Sequence, residues 1–583
     1  MVLFDEFDPH FRTPMGGIPQ GETLTLRLRC QRGTKTAHVH WRREGAEPHL
    51  TPMEQTGVMG SFDVYETTLP LDTAGIYWYH FRVEAGSGQE ITVPGQLSDG
   101  EYQITVYTPA ETGPDWIEGG LFYHVFVDRF YKSGKCTPRP GAVVRDDWGG
   151  TPYYKPDAEG IMHNNDFFGG DLYGVVEKLP YLVELGVTCI YLSPVFEAAS
   201  NHKYDTGDYK KVDDAFGGDE ALETLCQRAK AHGIRVILDG VFSHVGIDSR
   251  YFNRYGRYPE VGAYQSLDSP YHHWFHFKEW PDDYEAWWGI ELLPAINKSS
   301  ESYRDFITGP DGVIAHWAKH GVSGWRLDVV DELPDIFLDP LCQAMKREDP
   351  EALIIGEVWE DASNKIAYGY RRRYFQGGQL DSVMNYPLKN AIISFVREGN
   401  AEGLAARMAT LVQNYPAPVL HKLMNILGTH DTMRILTVLG GENIPHTRDE
   451  MEHFRLTADQ MQLAKARLKL AATLQYTLPG TPCIYYGDEA GMEGGADPFC
   501  RRCYPWGKED QNLLTYYRKL GGLRREHPVL ARGAYALQKA HGGVFAFTRG
   551  TGDEALCVTV NHNTCEATIY KNNQLIIHSG RDC

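Results

Sequence analysis

Four short stretches of the chain set ionisable side chains at the ends of apolar runs. They are Asp239-Gly-Val-Phe-Ser-His244, Gly324-Trp-Arg-Leu-Asp328, Gly356-Glu357-Val-Trp359 and Gly428-Thr-His430-Asp431. A single carboxylate in such a place is explained equally well by a cap or a salt bridge. Three of them on successive runs, each with a basic or aromatic companion, suit nucleophilic and general acid–base chemistry. Arg326 and Asp328 are two apart, so on a strand they face the same side. A guanidinium there is expected to hold Asp328 ionised and correctly turned, as a nucleophile needs. Glu357 follows the neighbouring run. The like charges around it favour a protonated carboxyl, as a proton donor needs.

These residues need a frame that brings distant stretches together. From about residue 118, short apolar runs alternate with longer segments at helical spacing. The runs are Phe122–Val127, Cys189–Leu192, Arg235–Asp239, Gly324–Leu327, Leu353–Gly356, Ser382–Met384, Leu423–Leu427 and Pro482–Tyr485. Between the second and third, Leu222, Leu225, Cys226 and Ala229 share one helical face, and Gly233 sits where a helix ends. Eight strand–helix units predict an α/β fold closed as a (β/α)8 barrel, whose working residues stand at the C-terminal ends of the strands. About 85 residues separate the third and fourth strands, far more than a usual loop. The Tyr-, Trp-, His- and Pro-rich segment 245–297 reads as an inserted subdomain. Before the barrel, Thr23–Arg29, Ala37–Arg42 and Ile76–Val83 alternate with period two, which predicts an N-terminal β-sandwich over 1–112. Alternation returns in Gly543–Phe547 and Ala555–Val560, which predicts a small C-terminal β-domain over 529–583 and leaves 113–528 to the barrel.

DGVFSH, GWRLDVVDE, GEVW and LGTHDTMR, in that order, resemble the four signature regions of the α-amylase superfamily, glycoside hydrolase family 13. The resemblance runs from LFYHVFVDRF (121–130) to GTPCIYYGDEAGMEGGADPFCRRCYPW (480–506). SNHKYDTGDY (200–209) and LGTHDTMRIL make it most similar to the neopullulanase, cyclomaltodextrinase and maltogenic amylase group. The resemblance implies a retaining hydrolase of α-1,4-glucosidic bonds, with cyclodextrins, pullulan, starch fragments or maltooligosaccharides as substrates. It assigns Asp328 as nucleophile, Glu357 as acid/base and Asp431 as the third carboxylate, which binds sugar hydroxyls. Tyr204 matches the aromatic platform at the cleavage point, and His244 and His430 match hydroxyl-binding histidines. Asp239 organises the site, Arg326 flanks the nucleophile, Trp359 shapes the acceptor side, and Arg434 closes the fourth signature among the substrate-binding positions. Trp287 and Trp288 either line a subsite or pack the insert. The alternatives are a glucanotransferase of the same fold and a non-catalytic glycan-binding relative. The second of these typically lacks one of the three carboxylates.

Two departures bear on metals. Ser243 stands where many relatives carry a calcium-ligating Asn, and the loop YKSGKCTPRPG after Phe130 lacks a dense oxygen cluster. No cofactor is required; both departures weigh against calcium, which stays open as an alternative. Cys500 and Cys503 form a CRRC stretch with no second pair in register, which reads as free thiols rather than a zinc site. The chain carries 57 Lys and Arg against 77 Asp and Glu, a net charge of −20, which disfavours nucleic acid. Its 34 Tyr and 12 Trp suit a surface that stacks sugar rings. No apolar stretch is long enough for a membrane span and no secretory leader is visible, so a cytoplasmic protein without membrane partners is expected. Eleven Cys with no dense framework agree with a reducing compartment. The N-terminal β-domain resembles those that pack over a partner's active site, which implies a homodimer.

Overall fold

The computed structural model describes residues 1–93 and 100–580. Each of the eight apolar runs forms a strand: β1 Phe122–Val125, β2 Cys189–Leu192, β3 Arg235–Gly240, β4 Gly324–Leu327, β5 Leu353–Gly356, β6 Ser382–Val383, β7 Met424–Ile426 and β8 Thr481–Tyr485. They lie parallel in the order β6-β5-β4-β3-β2-β1-β8-β7, and a parallel bridge between Met384 and Met424 joins the two ends into a ring. The runs are mostly apolar because the barrel strands are covered on both faces, with Asp239 and Arg326 as charged exceptions. Phe122, Tyr191, Ile237, Ile355, Met424 and Cys483 fill the interior in one buried cluster.

The helix after β2, α1 (Gly218–Ala231), buries Leu222, Leu225, Cys226 and Ala229. It ends in a left-handed Gly233 at φ 72°. The Ile234 amide donates to Ala229 and that of Gly233 to Lys230, which satisfies carbonyls the helix would otherwise leave open. A hairpin that the apolar pattern did not reveal follows β2, pairing Phe196–Ala198 with Thr206–Val212.

The segment 245–297 has little regular structure beyond a hairpin of Phe277–Glu279 with Asp283–Tyr284. Its own rings hold it together: Tyr251, Phe252, Trp274 and Phe275 are all buried. Its two ends are zipped beside β3, with His244 bridged to Ala295 and the Ile296 amide donating to Ser243. At the C-terminus, five strands from Tyr535–His541 to Gln574–Ser579 form an antiparallel meander.

The contacts divide the chain into two compact units. One is Met1–Thr112 together with Glu360–Asp381 and Ala406–Leu420; the other holds the remaining residues, the barrel and the C-terminal sheet included. In the first unit, two sheets enclose Leu26, Leu28, Val39, Tyr79, Phe81 and Ile104. The expected 1–112 segment therefore takes in two stretches from the range assigned to the barrel. The links include backbone and side-chain hydrogen bonds of very long sequence separation, which periodicity does not report. Gln103 Nε2 donates to Ser363 Oγ at 3.1 Å, Asn364 Nδ2 to Gln103 Oε1 at 2.8 Å, and Thr105 Oγ1 to the Asn414 carbonyl at 2.7 Å. Among the described residues no helix is long and apolar enough to cross a membrane.

Candidate active site

The strand ladder continues into the candidate site residues. Asp239 and Arg326 are register partners on β3 and β4. Just past the strands, the Asp328 amide donates to Gly240 and the Glu357 amide to Leu327. Backbone pairing thus fixes where both carboxyls start, at the C-terminal end of the barrel.

Arg326 is fully buried and gathers three carboxylates. Its Nη1 donates to Asp239 Oδ1 at 2.8 Å and to Asp328 Oδ1 at 2.9 Å, and its Nη2 lies 2.6 Å from Glu357 Oε2. Glu357 Oε2 also accepts from the Val329 amide at 2.9 Å, and Oε1 accepts from Trp359 Nε1 at 2.9 Å. Val329 has φ 37°, a left-handed conformation that a β-branched residue rarely takes. The strain sits at the turn that aims an amide at Glu357.

One guanidinium does not neutralise this group. Burial pushes Asp328 well above the usual carboxylate range; Arg326 pulls it down, while Glu357, Asp239 and Asp431 push it up again. Arg326 acts on Asp328 in the expected sense, lowering it, while desolvation and the neighbouring carboxylates act the other way. Burial likewise raises Asp431 to about 7, against Arg501, which lowers it, and with Glu357, which raises it further.

Tyr204 lies beside the same cluster. Its hydroxyl donates to Asp239 Oδ2 at 2.9 Å and lies 2.6 Å from His430 Nε2. Burial keeps His430 well below its ordinary value, so the ring is neutral. With the phenol proton on Asp239, the tyrosine oxygen accepts from His430 and the Nε2–H tautomer follows. The same Nε2 is 3.1 Å from Asp431 Oδ2. His244 Nε2 donates to the Tyr204 carbonyl at 3.0 Å, and burial lowers this histidine to about 3. Tyr204 itself follows Lys203, held left-handed at φ 64° by a buried ion pair to Asp213 at 2.5 Å.

Of the ten residues expected in the site, nine lie in this neighbourhood: Asp328, Glu357, Asp431, Tyr204, Asp239, His244, Arg326, Trp359 and His430. Trp359 is half exposed, stacks on Tyr386 at 4.0 Å, and spends its indole N–H on Glu357. Arg434 goes elsewhere. It is fully buried, donates to the Tyr486 carbonyl at 2.5 Å and to Asp488 Oδ1 at 3.1 Å, and lies over the Tyr485 and Tyr486 rings. Its place in the substrate-binding set is corrected: three residues past Asp431 the chain has begun to turn into the helix Ile435–Gly440, and the side chain faces the scaffold.

Two residues of the site escaped the sequence reading. Tyr191 on β2 donates to Asp239 Oδ2 at 2.6 Å, but as an apolar-run tyrosine it carried no signal. Arg501 donates through Nε to the His430 carbonyl at 2.9 Å and through Nη2 to Asp431 Oδ1 at 3.4 Å. It lies inside the CRRC stretch, where an arginine between two cysteines has no motif of its own. Cys500 and Cys503 are both buried and unbonded, and Cys500 donates to the His430 carbonyl at 3.2 Å.

Ser243 Oγ, at the position where many relatives carry a calcium-ligating Asn, is buried without a hydrogen-bond partner.

Comparison with known proteins agrees with this geometry. Residues 124–517 match the family described as alpha amylase, catalytic domain. An amylopullulanase of Thermoanaerobacter thermohydrosulfuricus is 36% identical over 94% of this chain and 40% of its own length. Across three such amylopullulanases the chain spans 33 to 48% of the relative. A cyclomaltodextrinase of Geobacillus thermopakistaniensis is 32% identical over 94% of this chain and 89% of its own. Among solved structures, the type III pullulan hydrolase from Thermococcus kodakarensis superposes with a TM-score of 0.67 at 28% identity, covering 97% of this chain and 95% of that one. On the matched catalytic domain, the near-full-length likeness and the carboxylate cluster at the ends of β3, β4, β5 and β7, the chain belongs to the α-amylase family, glycoside hydrolase family 13.

Proposed function

We propose that the chain is a retaining α-glucan hydrolase that cleaves α-1,4-glucosidic bonds. The observation that carries this reading is the single guanidinium of Arg326 shared by Asp328 and Glu357. Sharing one cation keeps the two carboxyls close, as a double displacement requires, rather than far enough apart to seat a water between them. Asp328 attacks the anomeric carbon as the glycosidic C–O bond breaks, and Glu357 gives its proton to the departing oxygen. Glu357, now a carboxylate, takes a proton from water; the water oxygen bonds to the anomeric carbon and Asp328 is released. Asp431, backed by Arg501, accepts from sugar hydroxyls and favours the distorted ring, while Tyr204, His244 and His430 border the reacting sugar.

Two inversions give retention, so the first product is the α-anomer. NMR of the first turnovers tests this, and an initial β-anomer would overturn the mechanism. The preferred substrates are small or cyclic glucans, a reading supported by the cyclomaltodextrinase and neopullulanase relatives and by an insert zipped beside His244. Comparing kcat/KM for β-cyclodextrin, maltotriose, pullulan and soluble starch decides it: a clear preference for starch would remove the subgroup and leave the family. No metal is required, so full activity after EDTA treatment and dialysis is expected. A cytoplasmic location accords with the unbonded cysteines, and the homodimer is tested by light scattering.

A further inference from the structure

A cavity of about 680 Å³ opens at the end of the barrel opposite the carboxylate cluster. β3 begins in its wall at Arg235, and β4 begins just after Ser323, another wall residue. From here the two strands run toward Asp239 and Asp328. The volume lies within the roughly 300–1,000 Å³ of small-molecule sites. Three helices end at its rim: α1, Val313–Lys319 and Asp335–Glu348.

The walls carry charges of both signs that do not meet. Lys230, Arg235 and His320 line the cavity together with Glu223, Glu348 and Glu351, yet among the described residues no ion pair joins the first three to the second three. Glu223 accepts from Gln227 at 3.0 Å, and Glu348 pairs with Arg347 at 2.8 Å. The side chains of Lys230, Arg235 and Glu351 have no hydrogen bond or ion pair among the described residues. The Arg235 guanidinium lies over the Trp116 ring, 4.5 Å from its centroid, and the Trp116 indole N–H donates to the Glu351 carbonyl at 2.9 Å. The aromatic face fixes the guanidinium while its N–H groups are left without a protein acceptor. His320 Nδ1 donates to the His316 carbonyl at 2.9 Å, which leaves Nε2 as an acceptor. A helix favours cations in its last turn, so Lys230 and His320 alone call for no ligand. That reasoning does not cover Arg235, at the start of a strand, or Glu348 and Glu351, at the end of a helix that disfavours carboxylates.

A simple anion would answer Arg235 and Lys230 but face Glu351 and three helix ends. A simple cation would answer those and face the guanidinium. A sugar hydroxyl both gives and accepts, so a chain of hydroxyls satisfies both kinds of group at once. We infer that this cavity is a second ligand site, which binds a neutral di- or trisaccharide with Arg235 and Lys230 as donors and Glu351 and His320 as acceptors. The choice of a glucose-based probe rests on the glycosidase reading; the site itself does not.

The test uses the full chain carrying Asp328→Asn, so that sugar is not consumed, labelled with 5-fluorotryptophan. Trp116→Phe identifies the Trp116 line in the fluorine NMR spectrum. Titration with maltose should shift that line to saturation. A Trp116 line that stays put up to about 100 mM maltose overturns the site. Arg235→Gln and Glu351→Gln should each raise the Kd read at Trp116 at least about threefold, the worth of one hydrogen bond. Glu351 is exposed, so Glu351→Gln keeps the test open if Arg235→Gln fails to fold. An unchanged Kd in Glu351→Gln would show that the shift comes from sugar bound elsewhere, and would overturn the site. A line moved by inorganic phosphate and not by maltose would make the cavity an anion site and overturn the sugar assignment. With Asp328 in place, Glu351→Gln should leave kcat/KM on maltotriose unchanged, and a loss there would overturn the separateness of the two sites. The Trp116 titration reads the cavity alone, so it stands even if the glycosidase reading fails.

Discussion

Two fully buried arginines stand at the C-terminal end of this barrel, in unlike company. Arg326 on β4 meets Asp239, Asp328 and Glu357. Arg434, after β7, meets Asp488 alone, a backbone carbonyl and two aromatic faces. The neighbouring Glu489 is also fully buried, but the hydroxyls of Tyr123 and Tyr181 satisfy it, each at 2.7 Å. One region sets a single guanidinium against a single ion-paired carboxylate, with Nη1 of Arg434 making its hydrogen bonds. The other keeps more negative charge than its guanidinium can answer, and Asp431 adds a fourth carboxylate. Burying surplus charge is costly, and a scaffold gains nothing from it. The surplus therefore marks the region that works, and the matched pair marks the frame.

The largest effects should separate the two. Asp328→Asn should cost at least about a thousandfold in kcat, since the covalent route is lost. Its thermal midpoint should equal or exceed that of the parent chain, because one surplus charge is gone. Asp488→Ala should do the reverse. It strands Arg434 in the interior, so it should lose about 3–5 kcal/mol of stability, measured by denaturant melts at pH 8, above the value of about 7 to which burial raises Asp488. Its folded fraction should still turn over. An Asp328→Asn chain that unfolds as readily as Asp488→Ala would erase the distinction.

The surplus also sets a pH limit. As the proposed nucleophile Asp328 has to be ionised, yet burial raises it, and the charge on Asp431 raises it further. Activity should therefore fall as pH drops through about 7, where Asp431 titrates, rather than near the ordinary aspartate range. The acid limb of kcat/KM reports the coupled group rather than one residue. Asp431→Asn removes a negative neighbour, so in its much reduced activity that limb should move to lower pH. A limb that stays put or moves up would show that the carboxylates do not act on one another.

The sequence is legible where local pattern and function coincide. All eight barrel strands are apolar runs, and the Arg326–Asp328 spacing foretold a contact that exists at 2.9 Å. It is illegible where partners are distant. Arg434 belongs to the fourth signature by spacing, but Asp488, 54 residues on, decides which way it points. The helix Ala458–Thr477 shows no clean amphipathic stripe because every residue from 468 to 477 is buried. The recruitment of Glu360–Asp381 into the N-terminal unit depends on hydrogen bonds such as Gln103 to Ser363.

The smallest expected effect concerns the acid within the working region. Trp359 was assigned to substrate by resemblance, but its N–H is engaged with Glu357 Oε1 while its ring lies on Tyr386. Trp359→Phe keeps the ring and removes the donor. One hydrogen bond is worth about 0.5–1.5 kcal/mol net, so kcat/KM on maltotriose should fall about two- to tenfold. A substrate with a nitrophenol leaving group scarcely needs a proton on departure, and there the loss should nearly vanish. That split would place Trp359 with Glu357 as a group that orients the acid. Equal losses on both substrates would place it with the sugar instead, because stacking on the ring does not depend on how good the leaving group is.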